Sequence, residues 1–233
     1  MLILAVDTSS RECSVAVLRD EQVLASRGGA SDAPYAARLF QDVDSAMGEA
    51  NVELPQIELF AVATGPGSFT GLRVGLAAVK GWAEVFGRPV AGVSVLEAVA
   101  VQAQAAPGIF SPVMDARGGR VFGALFRRSS AEDELRTMGE EVVLGRDEYF
   151  GWVAEQLHGE TPLFVTTTAE VVKAGLAASV FAGARLEEVS GELAPFVGRL
   201  GLTRSRRGEL VDSLGLEANY VRRSDAELKR QGG

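Results

Sequence analysis

Three groups of residues in this 233-residue chain have types and spacings that could do chemistry. The first is Asp7-Thr8-Ser9, a carboxylate and two hydroxyls directly after the apolar run from Met1 to Val6. The second is Gly65-Pro66-Gly67-Ser68-Phe69-Thr70-Gly71-Leu72-Arg73-Val74-Gly75, where glycines lead into an expected helix start and free N–H groups could cradle an anion. Its spacing is neither G-x-G-x-x-G nor a loop ending in Gly-Lys-Ser/Thr, so nucleotide binding does not follow from this loop alone. The third is Asp115, which also closes an apolar run. An acid at a strand end can reach a metal-bound phosphate. It can equally do no more than close a tight turn, and both readings stand for Asp7 and Asp115.

The remaining reactive side chains are few. One cysteine, Cys13, excludes an internal disulfide and any zinc site built from clustered cysteines. One histidine, His158, lies in Gln156-Leu157-His158-Gly159, the expected end of an amphipathic helix, where a cation at the negative pole is the ordinary arrangement. No G-x-S-x-G accompanies it, so a Ser-His-Asp or Cys-His site has little support.

The elements that must position these residues can be read from periodicity. Met1 to Val6 reads as a buried strand, Cys13 to Leu18 as a second and Val23 to Arg27 as a third, forming a meander. A helix is expected from Tyr35 to Ala50, with the stripe Ala36, Leu39, Phe40, Val43, Ala46, Met47 and Ala50. A strand follows from Ile57 to Ala63 and is stopped by Gly65-Pro66-Gly67. Ser68 or Thr70 can then cap a helix running from Phe69 to Phe86. A strand at Pro89–Val93 and a helix at Val95–Ala105 complete an order βββαβαβα.

The order then restarts. Val6 to Leu18 can be laid without gaps on Met114 to Phe126, each reading apolar strand, Asp, polar hairpin, apolar strand. Strands at Glu140–Leu144, Leu163–Thr166 and Leu186–Val189 and helices at Asp147–His158 and Ala169–Phe181 repeat the pattern. Two domains are expected, 1–106 and 107–233, with the boundary near Pro107-Gly108. Two RNase H-like lobes of this order imply the actin, Hsp70 and sugar-kinase (ASKHA) architecture.

Composition narrows the function classes. A hydrophobic fraction of 47% and a mean hydropathy of +0.13 describe a globular chain. No apolar run reaches the roughly 18 residues that cross a bilayer, and Asp7 interrupts the first run too early for a signal peptide, so a cytoplasmic location is expected. The net charge of −8 argues against this chain gripping a polyanion by itself. From Arg199 onward, eight Lys/Arg face five acids, which reads as a basic tail.

Together, Asp7-Thr8-Ser9, the Gly65–Gly75 block with Lys80-Gly81, Gly92-Val93-Ser94-Val95-Leu96-Glu97-Ala98, Asp115-Ala116-Arg117 and Tyr220-Val221-Arg222 resemble the bacterial TsaB (YeaZ) family. The resemblance spans almost the whole chain and is densest over residues 1–126. It implies a non-catalytic subunit for the N6-threonylcarbamoyl modification of adenosine 37 in tRNAs reading ANN codons. The partners implied are a TsaD-like catalytic subunit, a TsaE-like ATPase and, through the complex, tRNA. The partner's H-x-x-x-H metal motif falls where this chain has Tyr35-Ala36-Ala37-Arg38-Leu39, without an imidazole. The alternatives are an ATP-binding phosphotransferase of the same architecture and, behind it, a metallopeptidase, which the single histidine disfavours.

In that family the first two helices of the N-terminal lobe form the dimerisation surface. The expected interface is therefore Tyr35, Leu39, Val43 and Met47 on one helix and Phe69, Gly71, Leu72, Gly75, Leu76, Ala78 and Val79 on the other. A homodimer is expected for the isolated chain, to be broken by Val79→Glu or Gly75→Glu. The small residues Gly71, Gly75 and Ala78 fit a docking surface by shape, and fit equally well the packing of this helix on its own sheet. Asp7, Thr8, Ser9 and Asp115 are the expected vestige of a nucleotide or phosphate cleft. No tightly bound cofactor is expected, with ATP or ADP near the cleft or partner interface as the alternative.

Overall fold

The computed structural model describes residues 1–30, 34–104, 107–130 and 133–221. In chain order the elements are β1 (Leu2–Asp7), β2 (Ser14–Arg19), β3 (Gln22–Gly28), α1 (Tyr35–Ala50), β4 (Leu59–Gly65), α2 (Phe69–Phe86), β5 (Val90–Ser94) and α3 (Val95–Ala100). There follow β6 (Gly108–Arg117), β7 (Arg120–Gly123), β8 (Phe126–Arg128), β9 (Arg136–Thr137), β10 (Val142–Gly145), α4 (Arg146–Leu157), β11 (Leu163–Thr166), α5 (Ala169–Ala178), β12 (Leu186–Glu188) and α6 (Ala194–Arg207). The first two expected helices of the first lobe have the expected bounds, and the third, expected over Val95–Ala105, ends at Ala100. Ser68 caps α2 by accepting from the Gly71 N–H, and Gly87 ends it in the left-handed region at φ 60°.

The first sheet has the order β3-β2-β1-β4-β5, with β1 antiparallel to β2 and parallel to β4. Its central strands are apolar throughout because both faces are covered. Leu4, Val6, Phe60 and Val62 pack in one cluster with Leu39 and Val43 of α1 and Leu72, Leu76 and Val79 of α2. The other face receives α6, where Gly198 and Gly201 permit a close approach. A Cβ added at either would lie 2.4 Å from Leu18 or 2.7 Å from Ala61.

The second sheet repeats the order exactly in kind, β10-β7-β6-β11-β12, with β8 and β9 added beside β6. The duplication read from the aligned Asp7 and Asp115 segments therefore holds at the level of topology, and each sheet is that of an RNase H-like lobe. One expected strand is broken. Val121 to Phe126 splits into β7 and β8 after Gly123, because the Tyr149 ring of α4 fills the space where a side chain would stand, 2.1 Å from an added Cβ. The Tyr149 hydroxyl bonds Ser111 Oγ at 2.7 Å and donates to the Ala124 carbonyl at 3.4 Å, so the oxygen freed by the break is satisfied.

The division of the chain differs from a single cut at residues 106 and 107. Contacts group Met1–Ala98 with Gly191–Asn219, and Val99–Ser190 with the described residues Tyr220 and Val221. The physical reason is α6, which returns to cover the first sheet. Beyond it, Val211 bridges Val90 at the sheet edge, and the Asn219 N–H donates to the Thr64 carbonyl at 2.8 Å. Much of the expected basic tail is thus structured. Arg204 pairs with Glu97 at 2.5 Å and Arg206 with Glu21 at 2.8 Å, while Arg222, Arg223, Lys229 and Arg230 lie outside the described residues.

Candidate functional site

The end of β1 is closed. Asp7, Thr8 and Ser9 are all buried, and Asp7 Oδ1 accepts the Ser9 N–H at 2.9 Å in a turn. Asp7 Oδ2, Thr8 Oγ1 and Ser9 Oγ are buried without a partner. Burial pushes the Asp7 carboxyl up to about 6, against the opposing effect of the neighbouring Ser9 and with Glu12 adding like charge. The Cys13 thiol nearby is pushed up to about 11, first by burial and then by Asp7, which leaves it a poor nucleophile.

Helix α2 is what closes this turn. Ser68 N donates to the Ser9 carbonyl at 2.6 Å, and the Gly71 N–H is taken by Ser68 Oγ at 3.2 Å, so the helix start spends donors on the chain's own oxygens. An added Cβ would lie 2.4 Å from the Ser9 carbonyl oxygen at Gly67, 2.1 Å from that of Thr8 at Gly71 and 2.3 Å from Thr8 Oγ1 at Gly75. The small-residue face of α2 therefore packs on its own sheet, against the expectation that Gly71 and Gly75 meet a partner. On the other side, Arg38 of α1 donates to the carbonyls of Arg11 at 3.0 Å and Cys13 at 2.9 Å while pairing with Asp42 at 3.1 Å. Two helices thus clasp the β1–β2 hairpin.

The outward side of the same helices carries a few large apolar side chains among polar ones. Leu39, Val43, Met47, Leu72, Leu76 and Val79, expected at an interface, are buried in the core of the first unit, which corrects that expectation. They lie on the faces that the sheet covers. Tyr35 and Ala78 are half-buried, and of the expected set only Phe69 is well exposed, at 53%. Farther along the same helix Val85 is 76% exposed, and on α1 Phe40 is 50% exposed, its ring edge-on to Trp82 at 6.1 Å. Phe40 had been counted on the inward stripe, and Trp82 and Val85 belonged to no expected face. Trp82 and Val85 stand one position before and two after the buried Ala83, about 100° and 200° around the helix from it. Val79→Glu, the expected interface test, would place a charge in the core instead.

The second hairpin differs. Asp115 is exposed, and its Oδ1 accepts the Arg117 N–H at 2.8 Å, the same turn-closing bond that Asp7 makes. His158 caps α4 at φ 48° with its N–H on the Ala154 carbonyl. Among the described residues no three His, Cys, Asp or Glu side chains gather as a metal site would require. Among the same residues no helix is long and apolar enough to cross a membrane.

Comparison with known proteins gives this arrangement a lineage. Residues 22–194 match the family described as TsaD, tRNA N6-adenosine threonylcarbamoyltransferase. The chain is 28% identical over 239 residues to the tRNA threonylcarbamoyladenosine biosynthesis protein TsaB of Bacillus subtilis, covering 98% of this chain and 97% of that one. It is 34% identical over 167 residues to the protein of the same name from Escherichia coli, covering 69% of each. YeaZ from Pseudomonas aeruginosa superimposes with a TM-score of 0.77 at 28% identity, covering 94% of this chain and 99% of that structure. On sequence over nearly its full length and on fold, the chain belongs to the TsaB (YeaZ) branch of the threonylcarbamoyltransferase family.

Proposed function

We propose that this chain is the docking subunit of the assembly that attaches threonylcarbamoyl to N6 of adenosine 37 in tRNAs reading ANN codons, and is not itself the transferase. The observation that carries the reading is the exposed apolar side chains along α1 and α2, Phe40, Phe69 and Val85, each half or more exposed, with Phe40 against the half-buried Trp82. Full burial of such a side chain contributes roughly 1.5–3 kcal/mol, so covering what is exposed here is worth about 1 kcal/mol or more for each. Arg73 and Glu84 are exposed on the same helix and supply a polar rim to an apolar centre.

The partner of these side chains is a TsaD-like catalytic subunit, with a TsaE-like ATPase joining the pair and tRNA met through the complex. In its absence they pair two copies of this chain. The non-catalytic part of the reading is supported by the single histidine and by the clasped β1–β2 hairpin, whose carboxylate is shut beneath α2. No nucleotide is held tightly by the chain alone in this reading. The test is titration of labelled chain with the TsaD-like subunit of the same organism. Phe40→Asp with Phe69→Asp should weaken association at least tenfold with the fold intact; unchanged affinity would move the partner to another face.

A further inference from the structure

The tip of the β6–β7 hairpin carries a charge arrangement that the docking role does not use. Arg117 and Arg120 stand directly opposite one another across the two-residue turn Gly118-Gly119, and both are exposed. Neither side chain has a hydrogen bond or ion pair among the described residues. Like charges directly opposed on an antiparallel pair destabilise it. Arg117 is also held in the left-handed region at φ 62°, uncommon for a residue with a long side chain. The turn is held by Arg146, which opens α4 and donates its backbone N–H to the Gly119 carbonyl at 3.0 Å while its side-chain stem packs against Gly175 of α5. Of the nearby acids, Asp115 accepts the Arg117 N–H and Glu148 the Gly145 N–H at 3.2 Å.

We propose that this hairpin tip is a phosphate contact, and that its occupant is the sugar-phosphate backbone of the RNA on which the assembly acts. The identity of the RNA rests on the proposed function; the site itself does not. Shape favours a backbone over a free nucleotide. Nothing lies within 4 Å of a Cβ added at Gly118 or Gly119, so the tip is convex. A nucleotide needs a concavity for its base, whereas a polyanion is satisfied by projecting cations placed along its strand. The net charge of −8 limits such binding to local contacts of this kind.

The test compares wild type with Arg117→Gln/Arg120→Gln and with Arg117→Glu/Arg120→Glu, each first confirmed as folded by circular dichroism and thermal melting. Affinity for tRNA is measured over a salt series, both for the chain assembled with its TsaD-like partner and for the isolated chain at low salt. The expected result is binding weaker by about tenfold at 0.1 M salt for the glutamine pair, with the slope of log K against log salt flatter by about 2. The glutamate pair should be weaker still, with assembly unchanged. An unchanged slope in both settings overturns the proposal. So does loss of partner binding or of ATP binding in place of RNA binding. Should the wild-type assembly fail to form, the docking reading fails by itself, and the isolated-chain series still decides this one.

Discussion

The two hairpins that open the two sheets share a plan and have opposite surroundings. In each, an aspartate ends the first strand and accepts the N–H two residues on, at 2.9 Å for Asp7 and 2.8 Å for Asp115. Around Asp7 the glycines of α2 bring the helix onto the turn, three polar atoms are buried without partners and the carboxyl is pushed up by burial. Around Asp115 the turn is exposed, with Arg117 and Arg120 on its two sides. The same strand order can thus present a turn as core or as surface, according to how closely the next helix packs. A site for chemistry cannot be inferred from the aspartate alone. What the first unit offers outward is the far side of the helices that shut its hairpin.

The largest effect should come from reopening the clasp. Gly71→Val forces a side chain into the Thr8 carbonyl and should cost at least about 3 kcal/mol in urea denaturation. Gly118→Ala on the exposed hairpin meets only the penalty of its positive φ, about 1 kcal/mol. Equal losses at the two sites would erase the contrast.

Asp7 gives the next test, in pH. Its folded carboxyl, at about 6, lies above the ordinary value of 3.8, so the folded state holds the proton more tightly than the unfolded state. The contribution of Asp7 to stability is then greatest below pH 4, falls as pH rises from about 4 to 6 and levels off above, with a total change of up to roughly 3 kcal/mol. Asp7→Asn should remove most of this slope and raise stability at pH 7.5 by about 1–3 kcal/mol. An Asp7→Asn profile parallel to that of the wild type across the same window would contradict the burial described for Asp7.

Arg38 sharpens the comparison from the side of α1. Replacing it with Met strands the Arg11 and Cys13 carbonyls and Asp42, a loss of about 2 kcal/mol. Hydrogen exchange should quicken at residues 10–13 and not at 116–120. The smallest effect is expected for Asp115→Asn, where the amide oxygen can still close the turn: less than about 0.5 kcal/mol by thermal melting.

Much of the fold was legible in the sequence because its punctuation is strong. Pro34 and Asn51 flank α1, Ser68 and Gly87 flank α2, and the bounds read from the apolar stripes and the Ser68 cap match those observed. Helix α6 was hidden by its arginines, which made Arg199 onward read as a tail. Its signals were Pro195 near the start, Gly208 past the end and the spacing of Val197, Gly198, Gly201 and Leu202 toward the sheet. The outward face of α2 was not legible. Both of its seams are apolar, and only the depth to which Gly67, Gly71 and Gly75 seat the helix over Thr8 and Ser9 decides which one the sheet takes. The interface residues expected on the buried seam were misplaced for that reason.

The account's central claim is that the exposed apolar side chains of α1 and α2 recruit the subunit that performs the chemistry. It is tested most directly by measuring threonylcarbamoyl transfer to tRNA by the TsaD-like protein of the same organism, with wild-type chain, with Phe40→Asp/Phe69→Asp and with no chain. Transfer should depend on the wild-type chain and fall to the level without it for the double substitution, while Asp7→Asn supports transfer as the wild type does. Transfer by this chain alone, or equal transfer with and without it, would contradict the claim.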